Sequence, residues 1–221
     1  MKPTIIFPDP NSADDDGMLA IGGELSPEFI LSAYIQGIFP WFNPGDPILW
    51  WSPNPRLVLF PGNFKISGSL KQLIRSGKFT IKTDTCFEDV IENCSMAPRH
   101  GQNGTWITEE MKKAYIGLYH LGFAHSFETF QNENLVGGLY GLSIGKAFFG
   151  ESMFYKSSDA SKFALFHLVE FCKKNNFEFI DAQQPTKHLK SLGAIEMERP
   201  EFLKMLKNSL KHKSQTGKWT L

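Results

Sequence analysis

Between residues 137 and 171 the chain reads GGLYGLSIGKAFFGESMFYKSSDASKFALFHLVEF, and no other stretch restricts its fold as much. Apolar residues fill 135–142 and 147–154, and the link between them, Ser143 to Lys146, contains Gly145. That is the pattern of a β-hairpin closed by a glycine turn. The second run carries Glu151, flanked by Phe148, Phe149, Met153 and Phe154. A carboxylate in such company must face a lined cavity or be paired, because burying it alone is costly. Ser157, Ser158 and Asp159 then offer an N-cap for a helix predicted by the spacing of Ala160, Ala164, Leu168 and Phe171. A hairpin with an inward acid that feeds a helix is a frame on which a small acyl-transfer site can be built.

The 221 residues suffice for one large domain or two modest ones, with a core that needs no staples. With 23 basic and 23 acidic residues the formal net charge is zero, which excludes a general nucleic-acid coat and confines any such contact to a local basic patch. Cys86, Cys94 and Cys172 are odd in number and include no CxxC pair, so neither a disulfide framework nor a zinc knuckle is indicated. No apolar run approaches the roughly 20 residues of a membrane span, and the first residues lack the basic start and apolar stretch of a signal peptide. The expectation is a soluble cytoplasmic protein without membrane contact.

Taken in order, residues 1–23 hold three prolines, three successive aspartates (Asp14 to Asp16) and the pair Gly22-Gly23, so loop with one short strand is expected. A helix starts at Ser26 as N-cap, with Pro27 first and Glu28 favourable to the dipole, and Gly37 stops it. Its apolar face is Phe29, Ile30, Ala33 and Tyr34. Residues 38–53 are too rich in proline for a helix and, with Trp41, Trp50 and Trp51, too aromatic for an ordinary exposed loop. A strand over 57–60 and punctuation at 61–63 place a boundary there, giving a small N-terminal domain at 1–61 and a larger one at 62–221. In the larger part the pattern predicts helices over 67–75 and 87–94, strands over 79–83, 125–130 and 177–181, and a helix capped by Thr108 that carries Met111, Tyr115, Leu118 and Leu121. A polar loop over 97–106 ends on Trp106, a short helix over 186–192 stops at Gly193, and a basic helical tail from Glu201 frays at its end. The fold class is α/β (α+β): a mostly antiparallel sheet flanked by helices, as in a GNAT-like acyltransferase domain.

Eight blocks of the chain, in order, resemble the leucyl/phenylalanyl-tRNA-protein transferase family. They are LAIGGELS at 19–26, GIFPWF at 37–42, WWSP at 50–53, GTWIT at 104–108, GGLYG at 137–141, FGESMF at 149–154, ASK at 160–162 and SLGA at 191–194. The resemblance implies transfer of Leu or Phe, with Met a further candidate, from aminoacyl-tRNA to the α-amino group of proteins that begin with Lys or Arg, which marks them for degradation. It also implies a monomer, a GNAT-like domain that no longer uses acetyl-CoA, and neither metal nor cofactor. The residues permit that chemistry. An aminoacyl ester is already activated, and a free α-amino group, with a pKa of about 8, is partly uncharged near neutrality. Holding amine and ester together then matters more than a strong base.

The family's strand-end Asp-x-Gln corresponds to Asp181 and Gln183, implying that they orient the attacking amine and relay its proton; on a regular strand, residues two apart face the same way. The intervening Ala182 departs from the Cys often found there. Without the resemblance, Asp181 reads as a cap of the 184–187 turn. Glu151, in the Gly-Glu-Ser-Met-Phe block, is implied as the partner of the acceptor's cationic first residue; its alternative is a buried acid paired with Lys162 or a backbone donor. Trp41 and Trp106 are implied as stacking surfaces for the terminal adenosine, where a base gains ~1–3 kcal/mol. Leu139, Phe148 and Leu168 are implied as the pocket for the Leu or Phe side chain, and without the resemblance all three read as core. Lys65, Lys71, Arg75, Lys78 and Lys82 are the expected tRNA backbone contacts, although Gly68 and Gln72 stand where the family can be basic. Two rivals remain, an acetyl-CoA-dependent N-acetyltransferase and a non-catalytic RNA-binding module. Against the first, residues 155–161 contain no glycine with which to cradle a pyrophosphate.

Overall fold

The hairpin at the centre of the sequence is also the centre of the larger of two sheets. In the computed structural model, which describes residues 3–97 and 105–221, β7 (Asn134–Ile144) and β8 (Ala147–Tyr155) pair antiparallel from Ile144↔Ala147 to Gly137↔Tyr155. Gly145 turns the hairpin at φ +61°, and a Cβ there would lie 2.5 Å from the Ser209 carbonyl oxygen, so both torsion and space favour glycine. The other strands of this sheet are β4 (Arg56–Leu59), β5 (Thr80–Thr83), β6 (Ala124–Gln131), β9 (Phe179–Gln183) and β10 (Ile195–Met197). Their spatial order is β10-β4-β9-β8-β7-β6-β5. Every pairing is antiparallel except β8 with β9. The smaller sheet joins β1 (Met18–Ile21), β2 (Phe39–Pro40) and β3 (Leu49–Trp51) in the order β1-β3-β2. The α+β class read from the sequence is what the chain forms. Strand β4, which the expected boundary at residue 61 assigns to the N-terminal unit, is hydrogen-bonded within the large sheet.

The helices are α1 (Pro27–Tyr34), α2 (Gly68–Arg75), α3 (Phe87–Met96), α4 (Glu109–His120), α5 (Ala160–Lys174), α6 (Lys187–Ser191) and α7 (Arg199–Ser209). Side-chain oxygens of Ser26 and Thr108 cap α1 and α4 as their sequences predict, and those of Ser67 and Thr186 cap α2 and α6. Helix α5, for which the sequence also offers a cap, departs from expectation. Asp159 sits at its N-cap in a left-handed conformation, φ +65°, and its carboxylate pairs with Lys162 at 2.6 Å instead of capping. The polar loop expected over 97–106 falls largely on residues 98–104, outside the described residues.

Strand alternation sorts the core into two layers. Val58, Phe149 and Phe179 belong to one cluster with Tyr34, Met111 and Phe202, whereas Leu57, Phe148 and Ile180 belong to another with Leu168, Leu70 and Trp219. The sheet is thus covered on both faces, which is why its central strands read as near-continuous apolar runs. The first cluster runs on into the N-terminal region, where Trp50 packs on Phe7 and Phe29 at centroid distances of 4.9 and 5.3 Å.

One expectation fails at the C-terminus. The tail does not fray: Trp219 is 3 % exposed and stacks on His125 at 3.6 Å and on Phe171 at 4.3 Å. The buried Asp84 carboxylate accepts from the Trp219 backbone N–H at 2.8 Å and faces His125 Nδ1 at 2.8 Å. A single tryptophan beyond a basic stretch gave no periodic signal, so the docking was invisible to pattern reading.

Candidate active site

Strands β8 and β9 pair only from Ala147↔Phe179 to Phe149↔Asp181, yet each continues beyond that point. The two strands therefore part, and the gap between them is the cleft. Two cavities occupy it, of about 280 and 340 Å³, and both are lined by Glu151, Ser152, Ala182, Gln183 and Thr186. The smaller is walled by Phe39, Pro40, Trp41 and Trp106; the larger is apolar, walled by Leu59, Leu139, Met153, Leu165, Leu168 and Leu189 among others. Gly150, with no side chain to fill the gap, also lines the larger one.

Glu151 stands where the cavities meet. Its Oε1 accepts from the Tyr34 hydroxyl at 2.7 Å and from Gln183 Nε2 at 3.0 Å, and its Oε2 accepts from the Tyr115 hydroxyl at 2.9 Å. The two tyrosine hydroxyls are 2.7 Å apart. Burial pushes the Glu151 carboxyl up to about 7, against the three hydrogen bonds that favour its anion and together with the nearby Asp181 charge. Burial and Glu151 also raise both tyrosines well above the ordinary phenol range, so they stay protonated as donors. Among the described residues neither alternative partner for Glu151, Lys162 or a backbone donor, is used; Lys162 pairs with Asp159.

Asp181 departs from expectation. Its side chain is fully buried and lines neither cavity; Arg56 holds both oxygens, Nε on Oδ1 at 2.9 Å and a terminal nitrogen on Oδ2 at 2.7 Å. The same-face rule fails because the strand is not regular there. Two residues of β9, from Asp181 to Gln183, oppose one step of β4, from Val58 to Leu57, and Gln183 adopts φ +62°. This irregularity re-aims the Gln183 side chain into the cleft while Asp181 stays in the sheet. Phe148 is also misplaced by the sequence reading: it is fully buried, lines neither cavity and lies 6.1 Å from the Trp219 ring. Its strand face is the expected one, but core packing with the C-terminal tryptophan takes up its surface.

The remaining expectations separate by place. Trp41 and Trp106 come together on the smaller cavity, and Leu139 and Leu168 on the larger. Lys71 and Arg75 are exposed on α2, and Lys78 and Lys82 lie over the Phe79 and Phe130 rings at 4.7 Å each. Lys65 lines a separate recess with Lys162 and His188. Missed altogether were Tyr34 and Tyr115, read as helix-face core, and Arg56. A signal for the tyrosines existed: a chain with 20 Phe and 5 Tyr has little reason to bury a phenol unless its hydroxyl is needed. Burial also pushes the Cys86 thiol up to about 12, which rules out a ready thiolate there. No group of three or more metal-ligating side chains occurs, and no helix is long and apolar enough to cross a membrane, among the described residues.

The family model described as leucyl/phenylalanyl-tRNA protein transferase matches residues 58–207, and that of its N-terminal domain matches residues 23–54. A leucyl/phenylalanyl-tRNA–protein transferase of Desulfatibacillum aliphaticivorans is 52 % identical over 221 residues, covering 100 % of this chain and 95 % of the relative. One of Legionella pneumophila (strain Corby) is 53 % identical over 215 residues, covering 97 % of this chain and 96 % of the relative. Among solved structures, L-PGS from Bacillus licheniformis overlaps at a TM-score of 0.42 with 14 % identity, over 74 % of this chain and 58 % of that one, too loosely to carry an argument. The two family models and the full-length relatives leave one conclusion: this chain belongs to the leucyl/phenylalanyl-tRNA protein transferase family.

Proposed function

We propose that this protein transfers Leu or Phe from aminoacyl-tRNA to the α-amino group of proteins that begin with Lys or Arg, acting as a monomer in the cytoplasm. The observation that carries the reading is the pair of cavities meeting at Glu151 and Gln183. The apolar cavity takes the donor's side chain. Walls such as Leu139, Met153 and Leu168 reward apolar area without testing shape closely, which suits both Leu and Phe. The indoles of Trp41 and Trp106 take the terminal adenosine by stacking, and the exposed bases of α2 and β5 track the backbone beyond it. Glu151 attracts the acceptor's cationic first residue. Gln183, with its amide nitrogen committed to Glu151, leaves its carbonyl oxygen to accept from the attacking amine. The ester supplies the driving force, so the protein's contribution is to hold amine and carbonyl in one geometry, an effect that reaches several kcal/mol.

The test is incubation with Phe-tRNA and a peptide that begins with Arg, read by mass. A product longer by one Phe is expected, with the same peptide acetylated at its N-terminus unchanged. Acetylation of the free peptide from acetyl-CoA, or RNA binding with no product, would refute the proposal.

A further inference from the structure

The cleft has two walls that come from distant parts of the chain, and one buried cation touches both. Arg56, 1 % exposed on β4, directs its Nε and one terminal nitrogen to Asp181 and its other terminal nitrogen to the Gly37 carbonyl at 3.2 Å. Its guanidinium also lies over the Phe39 ring at 4.8 Å and the Phe202 ring at 4.6 Å. Gly37 and Phe39 lead directly into the Trp41 wall. On the other side, Asp181 Oδ1 accepts from the Gln183 backbone N–H at 2.9 Å, which holds the turn that points Gln183 at Glu151. A left-handed conformation at a residue with a long side chain costs free energy and persists only when its surroundings hold it.

We propose that Arg56 is a positioning residue for peptide transfer, acting through Asp181 to fix Gln183 in the cleft. This rests on the proposed function above. Asp181 is accordingly an orienting anion and not the acceptor of the amine's proton, because both its oxygens already face a fixed guanidinium. A planar two-pronged donor is required: a lysine would bring a point charge and lose the fork. A merely structural ion pair would predict something different, since its loss would lower stability without regard to Gln183.

The experiment is a double-mutant cycle on kcat at saturating donor and acceptor, with Arg56→Lys, Gln183→Ala and the double variant, each first shown to unfold cooperatively in urea. Arg56→Lys should lower kcat by about tenfold in the native background but by less than about twofold when Gln183 is already Ala, because residues acting through one contact are not additive. Equal effects of Arg56→Lys in both backgrounds would overturn the inference. If Arg56→Lys fails to fold, Asp181→Asn replaces it, retaining volume and one acceptor while losing the charge, and the same two outcomes decide. Absence of transfer by the native protein would instead refute the proposed function, so the two failures are distinguishable.

Discussion

Glu151 illustrates how a single side chain records its surroundings. Burial raises its pKa to about 7 from 4.5, against the hydrogen bonds from the two tyrosines, so the folded protein holds a proton that the unfolded chain releases earlier. The stability contributed by this group is full below about pH 4.5 and is lost as pH rises through about 7, a span worth roughly 3 kcal/mol. Glu151→Gln should therefore flatten the decline in urea-unfolding free energy between pH 5 and 8. If the carboxylate must be charged to hold a cationic acceptor, transfer to an Arg-initiated peptide rises with pH through the same range. The glutamine variant should lose Glu151's share of that limb, keeping only the rise due to deprotonation of the attacking amine, together with roughly ten- to a hundred-fold in kcat/KM, the scale of one charge-assisted contact. A variant with the native pH profile and rate would remove Glu151 from the site. The acid was legible in the sequence because it interrupts an apolar strand. That its partners would be Tyr34 and Tyr115 was not, because they come from α1 and α4, and helical spacing with a buried phenol says only that a hydroxyl faces inward, not which group it meets.

At the scale of elements, most helices and strands could be read from caps, glycine stops and apolar period, and the α1 and α4 caps formed where the sequence places them. The cleft could not be read that way. It exists because the parallel pair β8 and β9 separates after Phe149 and Asp181, and strand separation is a property of packing between segments about 30 residues apart in sequence. The same limit applies to the C-terminal segment, whose Trp219 closes the face that carries Phe127, Phe148 and Phe171. Trp219→Ala should cost about 3–5 kcal/mol in urea unfolding, the usual range for removing a buried tryptophan. A loss below about 1 kcal/mol would mean that the segment is not docked in solution.

Across the whole molecule, the arrangement is a sheet opened at one internal seam, with an apolar chamber on one side, a polar one lined by indoles on the other, and an acid between them. Its electrostatics are local, as expected of a chain with no net charge: the ion pair of Arg56 with Asp181 lies within the sheet, while the bases of α2 and of the edge strand β5 are exposed. The most direct measurement is a crystal structure with a non-hydrolysable amide of phenylalanine and 3′-amino-3′-deoxyadenosine. The phenyl ring is expected between Leu139 and Leu168, the adenine against Trp41 or Trp106, and the amide carbonyl near Gln183. An analogue bound elsewhere, with both chambers empty, would contradict that placement.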